Sequence, residues 1–203
     1  MPKTAKKTSK TKWIYGLRTC NADMTSYYGF KWKKRGWVEA PDWDPTPECG
    51  GGLHFLPWGG GDGNLLDWSD GAQWLVLRID ASAAVNINGK SKCPRAYVVF
   101  AGARHESVAK IINLGADAAK CVGAIVRTSG RVKAEANGHY GKAEANGDSG
   151  KASAGDNGLI ILSWRARSAS RRRVVVGYVG ENGIKAKTLY TLDASGAIVE
   201  ASQ

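Results

Sequence analysis

Cys49 and His54 are the two side chains whose type and spacing come nearest to a reactive site. A thiolate and an imidazole five positions apart could both bind zinc, or could form a nucleophile and its base. A zinc site needs three or four ligands, and the sequence has no CxxC or HxxxH pair to supply the others. We therefore predict no metal site and no cysteine-dependent catalysis.

A second candidate site is a basic segment in which cations are interleaved with tryptophan. The segment Lys31–Trp37 is typical of single-strand nucleic-acid platforms, where bases stack on aromatic rings, but it also fits a hairpin with tryptophans inward and lysines outward. A further basic cluster follows near residue 171. We predict that an anionic partner, either nucleic acid or a host protein, contacts Lys31, Lys33, Lys34, Arg35, Arg171, Arg172 and Arg173.

The overall charge is compatible with such a partner but is unevenly placed. The 203 residues include 29 Lys and Arg against 18 Asp and Glu, which gives +11, and five lysines within residues 1–12 leave +6 on the rest. A basic tail can bind an anionic surface because binding releases counterions, or it can simply aid solubility. No apolar run reaches the ~20 residues that span a bilayer, and residues 1–12 lack a secretory signal pattern. We expect no membrane contact, and four cysteines without a CxxC pair suggest free thiols in a reducing compartment.

A nine-residue repeat is the clearest pattern in the chain. Its copies begin at Lys133, Lys142 and Lys151. A strict short period indicates a solenoid, and we expect each repeat to be one coil, with alanines lining a thin core and glycines at the corners. The predicted core and corner residues are Ala134, Ala136, Ala143, Ala145, Ala152 and Ala154, with Gly138, Gly141, Gly147 and Gly150.

The period also predicts how charges stack on the coils. The three lysines that begin the repeats would form one column, and Glu135 with Glu144 a neighbouring column, on a solvated outer face whose charges partly compensate. A surface that tracks phosphates is the alternative. Calcium is not expected, because it needs six to eight oxygen ligands and too few carboxylates converge beside the lysines.

An alanine core buries little apolar area, so the repeat needs end caps with larger side chains. Val122, Ile125 and Val126 precede the repeat, and residues 159–162 with Trp164 follow it. Residues 171–178 and 188–192 are predicted to form a closing hairpin sheet.

The first half of the chain has a different composition, with seven of the eight tryptophans within residues 1–74. Apolar runs predict strands at 74–80 and 96–100, and spacing predicts a helix at 106–114, whereas residues 41–63 are too rich in proline and glycine for regular structure. We predict a predominantly β protein. Its parts are a basic flexible tail (1–12), an aromatic-rich α+β domain (13–118) and a capped β-solenoid (119–203).

Three segments resemble a poorly characterised family of phage and bacterial proteins with domains of unknown function. They are residues 15–24 with 52–55, the Ala- and Gly-rich repeats, and residues 183–192 followed by 198–200. The resemblance carries no assigned chemistry. It implies a phage- or prophage-encoded accessory protein in the bacterial cytoplasm, or a component of the virion.

The order of Tyr15-Gly16, Gly52–Phe55 and Trp74–Ile79 resembles the core of ADP-ribosyltransferases. That resemblance implies NAD as cofactor and a catalytic set of Tyr15, His54 and Glu106. Tyr15 stands where that family has histidine, and His54 where it has an aromatic residue.

These observations predict a non-enzymatic phage or mobile-element accessory protein that binds an anionic macromolecule, as a nucleic-acid-binding protein or as an inhibitor of a host defence complex. Two alternatives remain open. One is an ADP-ribosyltransferase-like enzyme or a degenerate relative. The other is a virion or assembly component whose copies join as a homo-oligomer through the solenoid ends.

Overall fold

The structure, a computed structural model, describes residues 11–165 and 171–202. The described residues form one seven-stranded sheet, two four-stranded sheets and one α-helix, so the predicted predominance of β structure is confirmed. Most of the predicted basic tail, residues 1–10, lies outside the described part. None of the described helices is long and apolar enough to cross a membrane.

The seven-stranded sheet is antiparallel and occupies the first half of the chain, with strand order β2-β7-β4-β1-β3-β6-β5. Its strands are β1 (Trp13–Cys20), β2 (Gly36–Glu39), β3 (Leu53–Pro57), β4 (Gln73–Asp80), β5 (Val85–Ile87), β6 (Lys90–Cys93) and β7 (Arg95–Gly102). Helix α1 (Arg104–Asn113) follows β7. Short 3₁₀ helices lie at Tyr27–Gly29, Gly63–Leu65 and Ala81–Ala83.

The predicted strands at 74–80 and 96–100 and the predicted helix are confirmed as β4, β7 and α1. The expectation that residues 41–63 lack regular structure is wrong, because β3 lies within them. Leu53 and Phe55 alternate toward one core while Leu56 faces the other. This alternation lets a short strand form between two irregular loops.

Both faces of the seven-stranded sheet are covered. On one face α1 packs through Val108 and Ile111 against Leu17 and Val76, and Ser107 Oγ donates a hydrogen bond to the Trp74 carbonyl at 2.8 Å. On the other face the loops around β2 and β3 enclose a second apolar cluster. The sheet therefore separates two cores.

Several tryptophans of the first half pair with arginine on the sheet surface. Arg95 lies 4.0 Å over the Trp37 ring, and Arg78 lies 4.7 Å from Trp13 and 5.1 Å from Tyr97. Such cation–π contacts contribute about 0.5–1 kcal/mol each at exposed sites. Part of the aromatic content of this half is therefore structural.

The two four-stranded sheets occupy the second half of the chain, with strand orders β13-β12-β10-β8 and β15-β14-β11-β9. Their strands are β8 (Ile125–Ser129), β9 (Lys133–Ala136), β10 (Lys142–Asn146), β11 (Lys151–Ala154), β12 (Leu159–Trp164), β13 (Arg173–Tyr178), β14 (Tyr190–Leu192) and β15 (Ile198–Glu200).

From β8 to β12 the chain alternates between these two sheets. Strands β8, β10 and β12 are parallel neighbours in one sheet, and β9 and β11 are parallel neighbours in the other. One nine-residue repeat therefore carries the chain across to the opposite sheet, and two repeats bring it back. The prediction of one coil per repeat is wrong, because the period of the sequence is half the period of the stack.

The predicted charge columns are wrong for the same reason. Lys133 pairs in register with Lys151, whereas Lys142 lies in the other sheet, between Ile125 and Leu159. Glu144 lies opposite Arg127 and accepts a 2.8 Å hydrogen bond from its Nε. The positive charge of Arg127 on β8 therefore compensates the carboxylate of Glu144 on the neighbouring strand β10.

The predicted alanine core is confirmed, since each of the six alanines is at most 1% exposed. The closing hairpin is wrong: β13 pairs antiparallel with β12 while β14 pairs antiparallel with β11, so the two strands lie in different sheets. Ile125, predicted to help cap the repeat, is 51% exposed. Val126, predicted beside it, packs against the alanine cluster, and Ile160, Leu162 and Tyr190 extend that cluster at the C-terminal end.

The predicted corner glycines let successive turns approach closely. A methyl group on Gly138 would collide with the Cys121 carbonyl, and one on Gly147 would collide with the Gly130 carbonyl. Both glycines are buried. Backbone packs directly on backbone at these corners, which requires a residue without a side chain.

Gly147→Ala should therefore destabilise the protein by about 1–3 kcal/mol, the usual cost of overpacking. Gly71→Ala is the matched control, because its new methyl group would lie 3.7 Å from the nearest atom, and it should change the free energy of unfolding by less than about 0.5 kcal/mol. Urea unfolding followed by circular dichroism measures both. Equal midpoints for the two variants would contradict the close stacking.

Candidate functional site

The basic segment before β2 has its lysines outward and one tryptophan inward. Trp32 is 3% exposed, and its Nε1 donates a hydrogen bond to Ser26 Oγ at 3.1 Å. The exposed members are Lys31, Lys33, Lys34 and Arg35. Since Trp32 is buried and Trp37 stacks on Arg95, neither ring is free to form a base-stacking platform.

The second predicted cluster begins β13, in a different sheet. Arg171, Arg172 and Arg173 are exposed. Arg172 Nη1 donates to Ser163 Oγ at 3.1 Å and lies 3.4 Å from Asp148 Oδ1. One of these three cations is thus partly compensated within the protein.

The residues suggested by the ADP-ribosyltransferase resemblance are placed apart. Tyr15 lies opposite Arg78 in the sheet and packs edge-on against Trp58, with ring centroids 5.6 Å apart. The Glu106 carboxylate accepts a 3.1 Å hydrogen bond from the Ala103 N–H at the start of α1. His54 lines a groove to which Tyr15 and Glu106 do not contribute. The structure therefore assembles no NAD site from these residues.

That groove has a volume of about 1260 Å³. It opens where β1 and β3 separate: the two strands pair only at Gly16 with Pro57 and Leu17 with Leu56, although both continue beyond those pairs. We call it the β1–β3 groove. The groove exists because β1 and β3 pair at only two positions and then separate.

The side chain of Arg18 bridges the separation. Its Nη1 donates a 3.0 Å hydrogen bond to the His54 carbonyl, and its guanidinium carbon lies 4.6 Å over the Trp32 ring. Lys90 also lines the groove, with Nζ 3.3 Å from Cys49 Sγ. The exposed rings of Tyr27 and Tyr28, with Phe30 and Trp32, form what we call the aromatic wall.

Positive charge dominates the electrostatics of this region. Burial first, and then repulsion from Lys90, Arg18 and Lys92, lowers the pKa of His54 to about 4, although the charge of Asp42 acts in the opposite direction. Burial also lowers the pKa of Arg18 to about 10. Lys92 is fully buried beside His54 across the β3–β6 pair, with Nζ 5.9 Å from the Trp43 ring. His54 is thus a neutral imidazole among three cations at pH 7.

Sequence reasoning singled out His54 but missed Arg18, Lys90 and Lys92. A signal was present for two of them. Arg18 lies in a strand between the buried residues Leu17 and Thr19, and Lys92 is flanked by two buried neighbours in β6. A cation within a mostly buried strand is uncommon and marks a place to look for function. Within the part of the chain that the structure describes, no group of three His, Cys, Asp or Glu side chains could hold a metal ion.

The stack of parallel strands has a second distinctive feature, at the end that begins with β8. Strands β8 and β9 are the outer strands of their two sheets at the same end of the stack. Ile125 on β8 and Val132 in the turn between them are 51% and 58% exposed. We call this surface the open end. The opposite end is covered by the antiparallel strands β13 and β14.

Comparisons with known proteins find two kinds of similarity. Residues 14–109 match a domain of unknown function (DUF7666). The chain is 34% identical over 107 residues to the ice nucleation protein InaU of Pantoea ananas, which covers 52% of this chain and 10% of that protein. Ice nucleation proteins of Enterobacter agglomerans and Xanthomonas campestris pv. translucens are each 34% identical, over 107 and 97 residues. The chain spans about a tenth or less of the length of these relatives. No solved structure matches it.

These relatives correct the functional prediction. They are bacterial proteins named for ice nucleation, and none is named as a phage accessory protein, a defence inhibitor, a transferase or a virion component. The prediction of a phage protein that binds nucleic acid or a host complex is therefore wrong, and so is its assignment to a phage-encoded cytoplasmic location. The residues of the two charge clusters on which it rested are exposed, and Arg172 lies near Asp148.

The groove and its surroundings predict how the four free thiols react. Cys49 is exposed, whereas burial raises the pKa of Cys20 to about 11 and of Cys93 and Cys121 to about 12. The thiolate is the reactive form, so the folded protein should release one equivalent of thionitrobenzoate from Ellman's reagent, and four in denaturant. Cys49→Ser should release none when folded. Reaction of a second thiol at a similar rate would contradict the burial.

His54 should make the folded protein less stable in acid. Its pKa of about 4 lies below the ordinary 6.5, so the unfolded chain binds the proton more tightly and stability falls as pH drops from 6.5 toward 4. His54→Gln removes this effect and should lose less stability between about pH 7.5 and pH 5, measured by urea unfolding. His105→Gln changes an exposed histidine and should behave like the unmodified protein. Equal losses in all three proteins would contradict the burial of His54.

Proposed function

We propose that this chain is a bacterial protein of the ice-nucleation type, whose second half is a short β-solenoid that joins other copies to build a larger ordered surface. On this proposal residues 13–118 form an α+β domain and residues 119–203 form the capped β-solenoid. The 34% identity to proteins named for ice nucleation supports the functional class. Because the chain spans only about a tenth of their length, it would supply one unit of such a surface.

The strand order supports a solenoid. Each step of the chain from β8 to β12 changes sheet, and each return stacks a parallel strand on its predecessor: Lys142 on Ile125, then Leu159 on Lys142. Alanines fill the space between the sheets, and glycine corners let one turn lie directly on the last. These are the features of coils stacked along one axis.

The difference between the two ends carries the proposal. At the C-terminal end, antiparallel strands and bulky side chains, among them Ile184 and Tyr190, terminate the stack. At the open end, β8 and β9 are edge strands with exposed apolar residues beside them. A parallel edge that no strand covers is a template for another strand. Arg127, Arg131 and Lys133 are exposed along this edge, so a strand that joins it must bring compensating carboxylates, such as that of Glu135.

A second copy of the chain can occupy the open end. Two copies related by a two-fold axis would place β8 beside β8 and β9 beside β9, with the same surface used on both sides. The joined solenoid would have twice the number of coils and a cap at each outer end. A longer ordered face can organise more water molecules than a single short one, which is what ice nucleation requires of a protein surface.

Association through the open end should raise the freezing temperature of water droplets. The double substitution Ile125→Lys and Val132→Lys places like charges at the proposed junction, so it should shift the protein to monomer in sedimentation velocity runs and lower the droplet freezing temperature to that of buffer. Val174→Lys is the matched control, since Val174 is 61% exposed on the capped side and its change should leave both readouts unaltered.

A chain that stays monomeric at every concentration would overturn the assembly. Droplets that freeze no earlier than buffer, although the chain associates, would overturn the ice-nucleation class. Association that survives the double substitution would move the junction away from the open end.

A further inference from the structure

We propose that the β1–β3 groove binds a small organic anion, with an oxyanion group such as phosphate or carboxylate at Arg18, His54 and Lys90 and an apolar, planar body against the aromatic wall. This site lies within residues 14–109, which match the domain of unknown function, and none of the residues that line it belongs to the second half of the chain. It therefore stands or falls separately from the proposed function.

Cations outnumber carboxylates around His54. Arg18, Lys90 and Lys92 surround it, and among the described residues none of these four side chains makes a salt bridge. Two acidic side chains also line the groove: Asp42 accepts from the Gly52 N–H at 3.1 Å, and Asp67 accepts from the Ser69 N–H at 2.9 Å. The charge of Asp42 acts on His54 against the three cations, and Asp44 interacts with Lys92, so the positive charge is partly offset. An anion in the groove completes the compensation.

Three buried polar atoms in this region are unused. Arg18 Nε, His54 Nε2 and Lys92 Nζ are buried and have no hydrogen-bond partner among the described residues. Leaving a buried polar group unpaired destabilises a fold, and more so when the group is charged. Arg18 and His54 line the groove, whereas Lys92 does not, so a ligand in the groove can compensate the first two directly and Lys92 through its field.

The shape and lining of the groove also suit a small organic anion. Its volume of about 1260 Å³ is far larger than a bare oxyanion needs and is suited to a ligand with an organic body. Tyr27 and Tyr28 are 86% and 101% exposed, with ring centroids 6.2 Å apart, while Phe30 packs edge-on against Trp32. Exposed rings beside cations are typical of sites that hold a planar molecule with a negative group.

The backbone at the aromatic wall is consistent with a binding role. Tyr28 has φ of 56°, in the left-handed region that costs a residue other than glycine free energy. This conformation holds a fully exposed tyrosine at the mouth of the groove, where it contributes nothing to a core. Backbone strain of this kind is concentrated at ligand-binding and catalytic segments of proteins.

Phenyl phosphate, benzoate and inorganic phosphate are the probes that test the proposal, titrated into the full chain by isothermal calorimetry. We expect phenyl phosphate or benzoate to bind, and inorganic phosphate to bind at least about tenfold more weakly because it has no body to contact the aromatic wall. The two aromatic probes distinguish a phosphate site from a carboxylate site. Lys90→Met should weaken the better probe about tenfold, the usual effect of losing one charge-assisted hydrogen bond. Lys110→Met removes an exposed lysine from α1 and should not.

Two further measurements test the proposal without calorimetry. A bound anion should slow the reaction of Cys49 with Ellman's reagent, because Cys49 lines the groove beside Lys90. It should also raise the pKa of His54 above 4, seen in the proton resonances of the imidazole. Tyr28→Ala, a change at an exposed position, should weaken both aromatic probes while leaving the fold intact.

The proposal is overturned if neither aromatic probe binds at millimolar concentration, or if Lys90→Met binds as well as the unmodified chain. If inorganic phosphate binds as tightly as phenyl phosphate, the proposed contact between the planar body of the ligand and the aromatic wall is wrong. If the pKa of His54 does not change when the probe binds, the proposed position of the oxyanion beside His54 is wrong.

Discussion

The second half of this molecule depends on the close approach of two sheets across a layer of alanine methyl groups. Each alanine buries little area, and apolar burial contributes only about 25 cal/mol per Å², so the layer cannot stabilise the stack by itself. Larger residues at the C-terminal end, including Ile160, Leu162 and Tyr190, complete the same cluster. The thin core therefore explains why the cap is required and why glycine occupies the corners.

The same constraint explains how the stack is joined to the seven-stranded sheet. The turn after β9 carries Tyr140, whose ring lies 4.0 Å from that of Trp68 and whose hydroxyl donates to Asn64 Oδ1 at 3.1 Å. His139 lies between Asp62 and Asp156, at 3.6 and 3.5 Å. These contacts support one corner of the first coil. The opposite corner, at Gly130, has no neighbour within 4 Å of an added methyl group and stays accessible.

Much of the local structure could be predicted from the sequence. The alternation in KAEA reports which side of the strand is buried, and the apolar run in WLVLRID indicates a strand buried on both faces. The arrangement of the strands could not be predicted. Whether nine residues make a whole coil or half of one depends on which strand Lys142 pairs with, and that choice is made by tertiary contacts. The groove was hidden for the same reason, since the parting of β1 from β3 has no local signature. Only Arg18 and Lys92, cations within mostly buried strands, pointed to it.

The arginines of this fold are held in different ways. Arg78 and Arg95 stack on aromatic rings at the surface, and Arg127 pairs with Glu144 in the stack. Arg18 also stacks on a ring, and the Nε atoms of both Arg18 and Arg78 are buried without a hydrogen-bond partner among the described residues. Arg18 differs because it lines the groove, where a ligand can offset the cost of its buried charge.

Asn64 connects that region to the rest of the molecule. It lines the groove, and its side-chain oxygen accepts the hydrogen bond from Tyr140 in the stack. One wall of the groove is therefore held in place by a turn of the second half. An anion that binds the folded groove and not the unfolded chain would stabilise this wall by mass action, and with it the corner on which the first coil rests. The two halves differ in composition and in strand pairing, yet the hydrogen bond between Asn64 and Tyr140 joins the groove of the first half to a turn of the second half.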